Sequence, residues 1–77
     1  MNSKDIVKHI MENQGVTNAK LASMMGSSPQ ATWDRLNTKR TKDLTVSVLI
    51  TMLRLLDYKV IIVPRTTRTP VDGYEVD

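Results

Sequence analysis

Within four residues, Gly26-Ser27-Ser28-Pro29, the chain carries a helix stop and a helix start back to back. Glycine enters the left-handed conformation that ends a helix at little steric cost. Serine ahead of proline begins one, because the hydroxyl can accept from an unpaired first-turn amide and proline at the first helical position forfeits no hydrogen bond. Signals this close together force two short helices to fold against each other across a tight turn. The whole chain has 77 residues and no cysteine, so neither a disulfide framework nor a thiolate zinc site can substitute for packing. That length makes one domain with a marginal core of its own, a setting in which a partner subunit often adds stability.

The remaining elements follow from caps and periodicity. Ser3 is placed to cap a first helix in which Ile6, Val7, Ile10 and Met11 face inward, with Lys4, Lys8, His9 and Glu12 on the wet side; Asn13-Gln14-Gly15 ends it. Thr17 or Asn18 caps a second helix from Ala19 to Met25, whose apolar face is Leu21, Ala22, Met24 and Met25. A third helix runs from Pro29 to Leu36 or Asn37, and the polar, basic stretch from Asn37 to Asp43 reads as loop. Thr45 caps a fourth, with Val46, Leu49, Ile50, Met52, Leu53 and Leu56 at core spacing and Asp57-Tyr58 closing it. Lys59 to Val63, β-branched and bounded by Pro64, reads as a strand, and Gly73 to Val76 can return as a second. The expected fold is mainly α: a compact four- to five-helix bundle followed by a C-terminal β-strand or short hairpin. It forms a single domain over 1–77, helical over about 3–58, with a strand arm over about 59–77.

Several function classes lose support. His9 is the single histidine, on a helix of simple amphipathic pattern, and the carboxylates are scattered. No nucleophile stands in an activating setting, and the three glycines, at 15, 26 and 73, are too isolated to cradle a phosphate. No enzyme activity, cofactor or metal is expected. The N-terminus is charged early and the longest aliphatic run is Val60 to Val63, so neither a signal peptide nor a membrane span is expected; the setting that fits is the cytoplasm. The net charge is +3, unevenly placed: Arg35, Lys39, Arg40 and Lys42 cluster, while Asp72, Glu75 and Asp77 mark the tail. A basic cluster opposite an acidic end suits a protein that turns one side toward phosphates, as well as an ordinary solvated loop.

Two short helices around a glycine turn are the helix-turn-helix arrangement. Ala22 is small enough to let its helix approach the next, Gly26 follows four residues later, and Leu21, Met25 and Leu36 bury the inner faces. Lys20 to Asn37, and more loosely Ile6 to Val63, resemble the Cro/repressor (Xre-like) helix-turn-helix family of phage and bacterial regulators. The resemblance implies duplex DNA as partner, a recognition helix in the major groove, and control of transcription, with repression the expected form. Gln30 resembles the base-reading glutamine, Ser28 and Ala31 would lie near the groove, and Thr17 and Asn18 would hold a phosphate at the start of the second helix. Asn37, Lys39 and Arg40 would contact the backbone after the recognition helix, and Lys20, Ser27, Trp33, Asp34 and Arg35 complete the expected contact set.

Two departures from the family pattern stand out. Ser27 and Thr32 occupy positions where the family usually has aliphatic residues. In one register Thr32 and Leu36 face inward and Trp33 outward; in the other Trp33 and Leu36 pack inside and Arg35 points out. The second is preferred for Trp33, since a lone tryptophan in a small domain is usually core. Asp34 is awkward, because a carboxylate on this helix repels phosphate unless it pairs with Arg35 or with a cytosine amine. The strand residues Val60, Ile61, Ile62 and Val63 offer an apolar edge to a symmetric copy, which would make a homodimer reading a pseudo-palindromic site with half-sites about one turn (~34 Å) apart. A hairpin folded back on its own helices is the competing use of the same residues. The alternative function is a protein-binding inhibitor or antitoxin-like module built on the same fold.

Overall fold

The structure, a computed structural model, describes residues 2–39, 43–65 and 73–77. Four helices are followed by a pair of strands: α1 (Ser3–Gln14), α2 (Asn18–Met25), α3 (Pro29–Asn37), α4 (Val46–Leu55), β1 (Val60–Ile62) and β2 (Tyr74–Val76). The core is one cluster of Val7, Ile10, Met11, Leu21, Leu36, Met52, Leu53 and Leu56, with Val16, Met24, Met25, Leu44, Val48, Leu49 and Val60 packed against it. Each helix supplies an apolar stripe too narrow to be stable alone, and the four stripes bury one another.

The helix ends are set by local chemistry. Thr17 Oγ1 accepts from the Lys20 amide at 3.1 Å, and Thr45 Oγ1 from the Val48 amide at 3.4 Å. At the end of α2, Gly26 sits at φ 65°; its N–H donates to the Ser23 carbonyl at 3.2 Å, and the Ser27 N–H to the Ala22 carbonyl at 2.9 Å. These paired bonds use carbonyls that the last turn would otherwise leave unmet. Gly15 closes α1 in the same way.

Four sequence expectations are corrected. Asn2, not Ser3, caps α1, its Oδ1 accepting from the Asp5 amide at 2.9 Å. Ser3 is instead the meeting point with the start of α4: its N–H and hydroxyl both donate to Asp43 Oδ1, at 2.8 and 3.0 Å, and its oxygen accepts from the Leu44 amide at 2.7 Å. Lys4, expected in solvent, is 6% exposed, and its ammonium donates to the Thr38 carbonyl at 2.8 Å. A cation there meets the negative end of α3 and the carbonyls that lack helical partners. Ile6 is 40% exposed, because the stripe through Val7, Ile10 and Met11 is centred about 100° away from it. Val46 is 63% exposed; its spacing matches the core face, but it stands at the first position of α4 with little packed over it.

β1 and β2 pair antiparallel, with Val60 opposite Val76, Ile61 opposite Glu75 and Ile62 opposite Tyr74. The acidic tail is engaged by basic residues of the same chain: Glu75 meets Lys59 at 3.7 Å and Asp77 meets Arg54 at 3.1 Å. Both pairs lie in solvent, where such contacts contribute about 0–1 kcal/mol. The pairing itself is what holds β2.

Candidate nucleic-acid interface

The two sides of α3 differ sharply. Thr32 and Leu36, one turn apart, are buried at 0% and 2%. Gln30, Trp33, Asp34 and Arg35 are exposed, and Ala31 is half-buried. Trp33, at 53% exposure, lies outside, so the register that packs it with Leu36 is overturned. The physical reason is the closeness of α2. Ala22, 1% exposed, lets the two helices approach, and a closely packed inner face has room for the small Thr32 rather than for an indole.

The start of α3 is fastened to the start of α2. Asn18 Nδ2 donates to the Pro29 carbonyl at 2.9 Å, and Asn18, Pro29, Gln30 and Trp33 line a shallow depression. Ser28 caps α3, its hydroxyl oxygen accepting from the Ala31 amide at 3.1 Å. Thr17, likewise a cap, is exposed beside Asn18. The positive ends of two helix dipoles therefore lie next to each other, a setting that favours an anion. On the outward face, Gln30 Nε2 donates to Asp34 Oδ1 at 3.0 Å.

A second group gathers at the far end of α3. Asn37 Nδ2 donates to the Trp33 carbonyl at 2.8 Å, and Lys8 Nζ donates to Asn37 Oδ1 at 3.4 Å. Lys4, Lys8, Asn37 and Lys39 line one groove between α1 and α3. In the sequence Lys8 is only a residue of the wet side of α1. Nothing in its spacing marks it, because its neighbour Asn37 is brought to it by tertiary packing. Lys20 is exposed and Ser27 half-buried, and neither lines either depression. Arg40 lies outside the described residues. The four residues expected at a dimer contact divide: Val60, Ile61 and Val63 are half-buried and Ile62 is 61% exposed, with one edge of β1 taken by β2.

Residues 2–38, just under half of the chain, match the family model described as winged helix-turn-helix DNA-binding. The match covers α1, α2 and α3, the helices that build the surface just described, and stops before the strand pair. Over these three helices the chain is similar to a DNA-binding helix-turn-helix. Within it, α2 is the supporting helix and α3 the exposed one, joined by the turn at Gly26. No curated protein and no solved structure gives a significant match to this chain. Among the described residues, no helix is long and apolar enough to cross a membrane, and no group of three or more His, Cys, Asp or Glu side chains is placed to hold a metal.

Proposed function

We propose that this protein is a sequence-specific regulator of transcription, a repressor of the Cro type, that lays the outward face of α3 in the major groove. The observation that supports this most is the division of α3: Thr32 and Leu36 go inward, leaving Gln30, Trp33, Asp34 and Arg35 outside together. At one end of that face stand Thr17, Asn18 and Ser28, whose amides and hydroxyls suit phosphate; at the other stand Lys8, Asn37 and Lys39. Polar groups at both ends and base-reading groups between them is the division of labour a groove-bound helix needs. The active species is a homodimer, joined along the edge of β1 that β2 leaves unpaired, and its two copies of α3 meet half-sites about one turn (~34 Å) apart.

Selection from a random duplex library followed by salt titration tests this. Recovered sites with twofold symmetry and an affinity falling by about 0.9 log unit per log unit of salt for each phosphate contacted support the reading. The protein has a single tryptophan, on α3, so its fluorescence reports directly on that helix. A saturable affinity for DNA with no change in Trp33 emission would place the contact elsewhere. A second reading, capture of a protein partner, draws on the exposed indole beside a carboxylate. It requires no measurable affinity for duplex DNA at moderate salt.

A further inference from the structure

Asp34 stands near the middle of the outward face of α3. With Thr32 and Leu36 buried, the residue lying furthest from that inner pair, at about 100° per residue, is Asp34, with Gln30 and Asn37 beside it. Among the described residues the ion pairs are Arg54 with Asp77 and Lys59 with Glu75; neither includes Asp34, although Arg35 is its neighbour. What the carboxylate has is the amide of Gln30, at 3.0 Å from Oδ1. A negative charge at the centre of a surface meant for a polyanion is unfavourable unless something in the groove compensates it. Phosphate cannot. Base edges can, where they carry an exocyclic amine.

We propose that Asp34 is the specificity-determining residue of this helix, and that it selects cytosine by accepting from the N4 amine, with Gln30 holding the carboxylate in place. The inference rests on the reading of α3 as the DNA-facing helix. An ionised carboxylate only accepts hydrogen bonds. In the major groove guanine shows acceptors alone and thymine an acceptor and a methyl group, so both leave Asp34 facing like polarity, whereas cytosine shows the N4 donor. Adenine offers N6 but sets its N7 acceptor beside it, which makes it the weaker choice. Gln30 and Asp34 then act at one base pair as a unit, not at two separate ones.

The test is site selection with the full chain, repeated with Asp34→Ala and Gln30→Ala. Wild type should recover sites with one fixed cytosine in each half-site, and replacing that C·G pair by T·A should weaken binding about 5- to 150-fold. Asp34→Ala should erase that preference while tightening binding to random duplex; Gln30→Ala should blunt it at the same position. Folding of both exposed-site variants is checked by an unchanged urea midpoint. Sites lacking a fixed cytosine, or two variants relaxing two different base pairs, overturn the proposal while leaving groove binding intact. Failure of wild type to recover any duplex overturns this proposal and the DNA-binding reading together.

Discussion

Thr32 offers the sharpest test of how this small core is balanced. Its side chain is completely buried on the inner face of α3, and its hydroxyl has no hydrogen-bond partner among the described residues. A hydroxyl stripped of water and left unpaired costs about 1–3 kcal/mol. Valine has nearly the same shape and the same branching at Cβ, so Thr32→Val removes the desolvation penalty without a cavity and without a change in helical preference. The expected gain is therefore about 1–3 kcal/mol, and for a domain of this size each kcal/mol raises the melting temperature by roughly 4–8 °C. Urea unfolding is the assay of choice, with the midpoint rising at constant slope. Thr32→Ser keeps the hydroxyl and discards a buried methyl, so it should move the midpoint the other way. Because the residue faces inward, DNA affinity of the folded protein should not change in either variant. A Thr32→Val protein as stable as wild type, or less so, would show the hydroxyl to be paired in solution and would refute the reasoning.

Three further outcomes follow from the described geometry. Gly26→Ala places a Cβ at φ 65°, where a non-glycine residue costs about 1–2 kcal/mol, and should lower the melting temperature although the space beside it is open. Gly73→Ala would set its Cβ 2.7 Å from Val63 Cγ1 and 3.1 Å from the Ile62 carbonyl oxygen, so hydrogen exchange in β1 and β2 should quicken while the helices keep their protection; equal protection throughout would contradict the close approach. Lys4→Met retains the apolar stem but removes the ammonium from the Thr38 carbonyl, and should lower stability by about 1.5–3 kcal/mol in thermal melts, a loss that an unchanged melting curve would exclude.

What could be read from the sequence was what local chemistry decides. Gly15 and Gly26 as stops, Ser28 and Thr45 as caps, and the start of α3 at Pro29 all depend on neighbours a few positions away, and the structure has them there; of the two candidates Thr17 and Asn18, Thr17 is the cap of α2. The cap of α1 falls at Asn2 rather than Ser3 because asparagine is as good a cap, and only the distant Asp43 shows why the serine is needed elsewhere. The orientation of Trp33 was legible only as a choice of two: Thr32 and Trp33 lie at similar angles on either side of Leu36, and the closeness of α2 decides between them. Lys4 and Lys8 acquire their roles from the packing of α1 against the far end of α3, which no periodicity reports. The strand expected after α4 is present, and one of its edges is paired with β2.

The fastening of α3 at each extremity, by the Asn18 amide to the Pro29 carbonyl and by the Lys4 ammonium to the Thr38 carbonyl, has a mechanical corollary. If α3 is the groove-bound helix proposed above, a rod held at both ends would tilt or slide little to suit an ill-fitting half-site, so few motions would remain to be frozen on docking. Adjustment would fall to the duplex instead. Sequences that bend or narrow easily between the half-sites would then be favoured at base pairs no side chain reaches.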